Sequence, residues 1–124
     1  MTLEEVKEIL DAEVIVGHDW LGLEVKKAGC ADTMDDVMYF GKAGALLLTG
    51  LVNIDVIRTS GVLSLAAIVM VRGKRPTPEM IELAKKLQLP ILVTKYILFE
   101  SVGRLYAKGI VGITEKVAEK NYSA

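Results

Sequence analysis

The fold is decided by the stretch Ala45-Leu46-Leu47-Leu48-Thr49-Gly50, in which an apolar run ends in a hydroxyl residue and a glycine. The same pattern returns where Ala67–Val71 is followed by Arg72-Gly73-Lys74, and again where Ile91–Val93 is followed by Thr94-Lys95. A segment with helical periodicity follows each run. Short continuous apolar runs separated by helices predict parallel strands whose two faces are both covered. We therefore expect an α/β fold with three layers, α/β/α, around a mostly parallel central sheet.

The segments outside this repeat carry their own start and stop signals. Thr2-Leu3-Glu4-Glu5 predicts a capping box at the start of a first helix. Glu13–Val16 predicts a short strand, and Leu23–Lys26, which alternates apolar and charged residues, predicts a half-exposed one. We expect Asp32 to cap the following helix and Thr77-Pro78 to open a later one.

Composition limits the class of protein. The chain has 124 residues, of which 52% are hydrophobic, enough for one domain spanning 1–124 with a peripheral tail from about 110. A short helix is expected over Thr114–Lys120. Fifteen basic residues balance 16 acidic ones, which argues against nucleic-acid binding driven by bulk charge. We see neither a secretory leader nor an apolar stretch that would cross a bilayer, so we expect a cytoplasmic protein with no membrane partner.

The ends of the three repeated strands form the candidate ligand site. The carboxyl ends of parallel strands share one edge, where ligands bind in open α/β sheets. Glycines let backbone N–H groups approach an anion, and arginine and lysine suit phosphate oxygens. The alternative is that the glycines only permit tight turns and that the basic loop is solvated. The candidate ligand-binding residues are Thr49, Gly50, Asn53, Arg72, Gly73, Lys74, Thr94 and Lys95.

Known nucleotide and metal motifs are missing. Residues 41–44 read Gly-Lys-Ala-Gly, but they lack the order of a phosphate-binding loop and precede a strand instead of following it. Asp32, Asp35 and Asp36 are able to hold Mg²⁺ or Ca²⁺ together, but a role at the positive end of a helix is favoured. We therefore predict no metal site and no cofactor.

The remaining reactive or aromatic residues give no catalytic constellation. His18 stands in a turn beside Asp19, with no nucleophile placed by a motif. Cys30, the single cysteine, excludes an internal disulfide and is expected to be a small buried hydrophobe. Four aromatic residues have the spacing of core or interface residues, namely Trp20, Phe40, Phe99 and Tyr106.

Four segments carry a resemblance to a known family. They are Leu48-Thr49-Gly50 with Asn53, Ile68–Lys74 with Pro76, Met80–Ala84, and Leu89–Thr94 with Phe99-Glu100. Through them the chain resembles the DRTGG domain family, and Ala31–Val37 looks like its stand-alone form. Similar small proteins are encoded near iron-only hydrogenase genes, sometimes beside histidine-kinase-like or anti-sigma-like ATPases. The string that names the family is missing; Arg58-Thr59-Ser60-Gly61 is the nearest match, and no function is carried onto it.

The resemblance implies a fold and a role. The family domain is similar in fold to the N-terminal domain of HPr kinase/phosphatase, and larger members join it to CBS domains, phosphotransacetylases or pyrophosphatases. It resembles a regulatory, dimer-forming module there, not the catalytic one. The implied function is a non-catalytic ligand-sensing homodimer whose ligand is an adenine nucleotide or another small anion. The alternatives are an adaptor for a histidine-kinase-like or anti-sigma-like ATPase and, less favoured, a Mg²⁺-dependent phosphotransfer or hydrolase enzyme.

Overall fold

The computed structural model describes residues 1–117, with Phe40 described in its backbone only. Five α-helices and six strands follow one another there, together with a 3₁₀ turn at His18–Trp20. The helices are α1 (Leu3–Ile9), α2 (Met34–Phe40), α3 (Ile54–Val62), α4 (Pro78–Leu87) and α5 (Leu98–Ala107). The strands are β1 (Glu13–Val16), β2 (Lys27–Cys30), β3 (Leu46–Thr49), β4 (Ala67–Met70), β5 (Ile91–Val93) and β6 (Val111–Gly112).

The strands form one sheet in the order β1-β5-β4-β3-β2-β6. Strands β2 to β6 run parallel, and only β1 lies antiparallel, against β5. Leu48 pairs with Val69, and Val69 with Leu92, so the three repeated strands lie side by side with their carboxyl ends at one edge. The predicted mostly parallel α/β fold is confirmed.

Helices cover the sheet on both faces. One core cluster packs α2, α3 and α4 against the first face, and a second packs α1 and α5 against the other. Neighbouring residues of a strand divide between the two clusters, because successive side chains point to opposite faces. Leu47 belongs to the first cluster, and Leu46 and Leu48 belong to the second.

The local helix signals are confirmed where they rest on neighbouring residues. Thr2 and Glu5 form the expected capping box, with the Glu5 backbone N–H donating to Thr2 Oγ1 at 3.2 Å. Thr77 caps α4 by accepting from the Met80 backbone N–H, and Pro78 occupies the first turn.

Two predictions about the second strand and its following helix are wrong. The strand is Lys27–Cys30, not Leu23–Lys26, because the chain pairs with β3 and β6 only from residue 27 onward. The cap of α2 is Thr33, whose Oγ1 accepts from the Asp36 backbone N–H at 3.2 Å. Asp32 makes a long-range contact instead, since its Oδ1 accepts from the Gly50 backbone N–H at 3.0 Å.

Exposure departs from expectation at Cys30, which is exposed and not buried, because it ends a strand near the border of the sheet. Of the two alternatives for Phe99 and Tyr106, core or interface, their exposure on the outer side of α5 excludes the core. The helix expected over Thr114–Lys120 falls partly outside the described residues, and 114–117 is not helical. No helix within residues 1–117 is long and apolar enough to span a membrane.

Candidate ligand site at the strand ends

The fold brings the predicted strand ends together at one surface. After β4 the chain passes to α4 on the first face, and after the adjacent β5 it passes to α5 on the second face. In open α/β sheets, ligands usually bind at the carboxyl ends of strands whose connections leave on opposite faces. Two backbone bonds join the loops at this point, from Arg72 N–H to the Tyr96 carbonyl (2.9 Å) and from Gly73 N–H to the Thr94 carbonyl (3.0 Å). We call the surface formed by the eight predicted residues the strand-end surface.

Two of these residues, Thr49 and Thr94, are buried and hold the backbone in place. Thr49 Oγ1 donates to the Ala31 carbonyl at 2.6 Å and accepts from the Leu51 N–H at 3.1 Å. Thr94 Oγ1 likewise donates to the Leu10 carbonyl at 2.6 Å and accepts from the Tyr96 N–H at 3.2 Å. Each hydroxyl therefore ties the end of its strand to a distant segment of the chain.

Backbone donors at this surface are also engaged within the protein. The Gly50 N–H donates to Asp32, and the Lys74 N–H donates to the Val71 carbonyl at 3.1 Å. The Asn53 side-chain oxygen accepts from the Asp55 N–H at 2.8 Å and thereby caps α3. The backbone N–H groups of Gly50, Arg72, Gly73 and Lys74 are therefore all occupied by bonds within the protein.

Arg72 has the most unusual backbone conformation at this surface. Its φ is +60°, in the left-handed region that disfavours residues other than glycine. The other three such residues described, Asp11, Ser64 and Gln88, each follow the end of a helix, where this conformation is common. Arg72 instead follows a strand and, with Gly73 (φ +71°), forms the centre of a two-residue turn that the Lys74 N–H closes by donating to the Val71 carbonyl at 3.1 Å. Turns with two positive φ angles favour glycine, asparagine and aspartate, so an arginine at the first central position is unusual.

The Arg72 side chain reaches across to the neighbouring strand end. A Cβ atom placed on Gly50 would lie 2.5 Å from Nη2 of Arg72, so the guanidinium occupies the space that the glycine leaves free. Gly50 and Arg72 are separated in sequence by a whole helix, yet they form one part of the surface. Here the structure joins two of the predicted residues directly.

The charges of the surface are unevenly paired. Glu13, which pairs with Val93 in the sheet and so lies at the same edge, binds Arg75 through both guanidinium nitrogens at 3.1 and 3.3 Å. The Arg75 hydrogen bonds and charge lower the pKa of Glu13 below its ordinary value. Within residues 1–117 no ion pair engages the remaining cations of the surface, which are Arg72, Lys74 and Lys95.

The acidic residues near α2 do not assemble a metal site. Asp32 binds the Gly50 N–H, and Asp35 and Asp36 lie in the first turn of α2. Among the residues that the structure describes, no group of three histidine, cysteine or carboxylate side chains is placed to hold a metal ion. Burial and the Asp32 carboxylate raise the pKa of the Cys30 thiol above its ordinary value, although the residue as a whole is exposed.

A second concave region lies at the opposite border of the sheet, and the sequence reasoning missed it. A cavity of about 800 Å³ is bordered by β2, β3 and β6, by the side of α5 that carries Val102 and Tyr106, and on the other face of the sheet by Val37 of α2. The interface-like spacing of Phe99 and Tyr106 was the available signal, but only the position of α5 shows that these side chains stand beside a cavity.

Comparisons with known proteins agree with this architecture. The family model of the DRTGG domain matches residues 5–107. Among solved structures, the chain is similar to the CBS and DRTGG domains of the regulatory region of Clostridium perfringens pyrophosphatase, which was crystallised with its activator, diadenosine tetraphosphate. The TM-score is 0.72 at 18% identity, and the match covers 99% of this chain and 53% of that one, so it shows the fold alone. No curated protein matches the sequence.

Proposed function

The chain belongs to the DRTGG domain family, and from that membership we propose that it is a non-catalytic regulatory domain that senses a small polyanion at the strand-end surface. An adenine nucleotide is the leading candidate ligand, and the sensing unit is a homodimer. The structural neighbour is itself a regulatory region in complex with a dinucleoside polyphosphate, which supports this class of ligand.

The conformation of Arg72 is the observation that carries the proposal. Strained backbone is retained where the surrounding structure enforces it, and it concentrates at functional sites. Here the positive-φ backbone of Arg72 accompanies a guanidinium that lies over Gly50, at the ends of the adjacent strands β3 and β4. Among residues 1–117 this guanidinium has no hydrogen-bond or ion-pair partner. A planar guanidinium binds phosphate oxygens through two parallel hydrogen bonds.

The distribution of charge favours a ligand with several phosphates over a single one. Arg72 and Lys74 belong to the loop after β4, and Lys95 belongs to the loop after β5. The backbone N–H groups of Arg72, Gly73, Lys74 and Tyr96 bond within the protein, so these four do not form an amide cradle for one phosphate. Separate cations on two loops suit a chain of phosphates that extends along the surface.

Calorimetric titration tests this proposal. The titrants are AMP, ADP, ATP, diadenosine tetraphosphate and inorganic tripolyphosphate, each at low and high salt. We expect tighter binding with increasing phosphate number, and weakening of about 10- to 100-fold in Arg72→Ala, the range of one lost charge-assisted hydrogen bond. Lys86→Ala removes an exposed charge at the end of α4 and is the matched control.

The outcomes separate the parts of the proposal. Equal binding of tripolyphosphate and ATP would retain the polyanion site and reject a nucleotide-specific one. Absence of binding at millimolar ligand would overturn ligand sensing at this surface, as would an Arg72→Ala variant that binds as tightly as the Lys86→Ala control.

A further inference from the structure

The outer side of α5 is apolar where a surface helix is normally charged. Leu105 and Ser101 face the sheet and are buried, whereas Phe99 is 85% and Tyr106 69% exposed. Surface helices usually carry polar residues opposite their buried stripe. We call the group formed by Phe99, Val102, Gly103, Tyr106 and Ala107 the α5 outer face.

An open groove runs beside this face. On the α2–α4 face three helices cover the sheet, but among the described residues only α1 and α5 cover the other. The cavity of about 800 Å³ extends around the β2–β6 border of the sheet. Val102 and Tyr106 line its part beside α5, and Val37 and Gly41 line its part on the α2 side. The space beside α5 therefore suits an additional helix.

Gly103 gives an independent reason to expect a helix from outside. It lies in the middle of α5, where glycine is less favourable than every residue except proline. Its φ is not positive, and a Cβ placed there would meet no atom within 4 Å, so neither backbone strain nor packing within the chain requires glycine. A glycine on an exposed helix surface permits the close approach of a second helix.

The pattern around Gly103 is complementary to itself in antiparallel orientation. A crossing at Gly103 places the large Phe99 opposite the small Ala107 of the partner subunit, and the reverse contact follows from twofold symmetry. It also brings Glu100, which forms an ion pair with Arg104 of its own helix at 2.8 Å, toward the partner's Lys108 at the C-cap, so the contact would add a second cation beside this carboxylate. A parallel crossing would instead place Glu100 beside its own copy.

From these features we infer that α5 is the homodimer contact, crossing the α5 of a second copy in antiparallel orientation at Gly103. The inference rests on the homodimer of the proposed function and names the surface that forms it. It also connects the two surfaces of the protein, because α5 begins three residues after Lys95, at the strand-end surface.

Sedimentation equilibrium from low to high micromolar concentration tests the contact. We expect a dimer for the wild type, and a rise of about tenfold or more in the dissociation constant for Gly103→Leu and Phe99→Glu, as is usual when the centre of an interface is disrupted. Val62→Glu is the control, because Val62 is 84% exposed on α3 and lies on the opposite face of the sheet. Circular dichroism is expected to show all variants folded, with Gly103→Leu melting higher because leucine favours a helix.

A charge exchange tests the orientation. Glu100→Lys and Lys108→Glu are each expected to weaken self-association, and a mixture of the two variants is expected to restore it as a heterodimer.

Each other outcome would reject the contact in a distinguishable way. A dimer unaffected by Gly103→Leu and Phe99→Glu would place the interface elsewhere while leaving the proposed homodimer intact. A wild-type monomer at high micromolar concentration would reject both, and so would a monomer that binds a different protein through α5. Polyanion binding by the Phe99→Glu variant is measured separately, so failure of ligand sensing is not confused with failure of the contact.

Discussion

Replacing Arg72 with glycine should stabilise the fold while removing a side chain of the proposed ligand site. A residue with a Cβ atom in the left-handed conformation costs about 1–2 kcal/mol, and glycine loses about 0.5–1 kcal/mol more backbone entropy on folding. No hydrogen bond or ion pair of the Arg72 guanidinium is present among residues 1–117, so none is lost. The net expectation for Arg72→Gly is a gain of about 0.5–1 kcal/mol in the free energy of unfolding, or about 2–5 °C in Tm.

Two companion variants separate the backbone from the side chain. Arg72→Ala removes the guanidinium but keeps a Cβ atom at φ +60°, so its stability should stay near that of the wild type. Gly73→Ala provides the opposite control, because Gly73 has φ +71° and open space around it. It should lose about 1 kcal/mol from strain alone.

Urea unfolding followed by circular dichroism measures these differences, and calorimetry with a polyphosphate measures binding by the same samples. Both Arg72 variants should bind weakly, while only the glycine variant should unfold at higher urea. If Arg72→Gly is no more stable than Arg72→Ala, the residue carries no backbone strain and the central argument for the site fails. If Arg72→Gly is more stable and still binds normally, the strain is real but does not serve ligand binding.

Three further predictions concern the fold around the site. Thr94→Val should lower the free energy of unfolding by about 1–3 kcal/mol, because it removes the hydroxyl that donates to the buried Leu10 carbonyl. An unchanged urea midpoint would contradict this prediction. Ser101→Ala should raise the free energy of unfolding by about 1 kcal/mol, since the buried Ser101 hydroxyl has no partner within residues 1–117. A decrease would show that this hydroxyl makes a hydrogen bond in solution. Iodoacetamide should alkylate Cys30 more slowly in the folded than in the urea-unfolded protein near pH 9, because the raised pKa leaves less thiolate in the folded state. Asp32→Asn should reduce the difference between the two alkylation rates. Equal rates in the folded and unfolded wild type would refute the raised pKa. By the same linkage the Cys30 contribution to stability declines as the pH rises past the unfolded pKa, where the unfolded chain loses the thiol proton first.

The sequence predicted the features that depend on neighbouring residues. The three apolar runs became β3, β4 and β5, and the caps at Thr2 and Thr77 formed as expected. Apolar residues in continuous runs are buried on both faces of a parallel sheet, and a cap is satisfied within one helical turn. The common edge of the strands followed from their parallel direction alone.

Tertiary structure decided everything that depends on partners distant in the chain. The weakly apolar β2 is a strand because β3 and β6 supply its hydrogen bonds, and Asp32 leaves the helix cap to Thr33 because Gly50 lies beside it. The Thr94 hydroxyl bonds a carbonyl 84 residues away. No local pattern encodes such contacts, since each arises only when the sheet has assembled.

At the strand ends, local sequence and tertiary structure each determined a different part of the arrangement. The sequence showed which residue types lie there, because each apolar run is followed by glycine, hydroxyl or basic residues. The tertiary structure alone decided that the hydroxyls are used by the fold, that Arg72 lies over Gly50, and that its charge meets no partner within residues 1–117. The sequence by itself therefore determined that these residues gather at one edge of the sheet, because parallel strands end at the same edge, and only the packing of the sheet and its loops determined which side chains are exposed there.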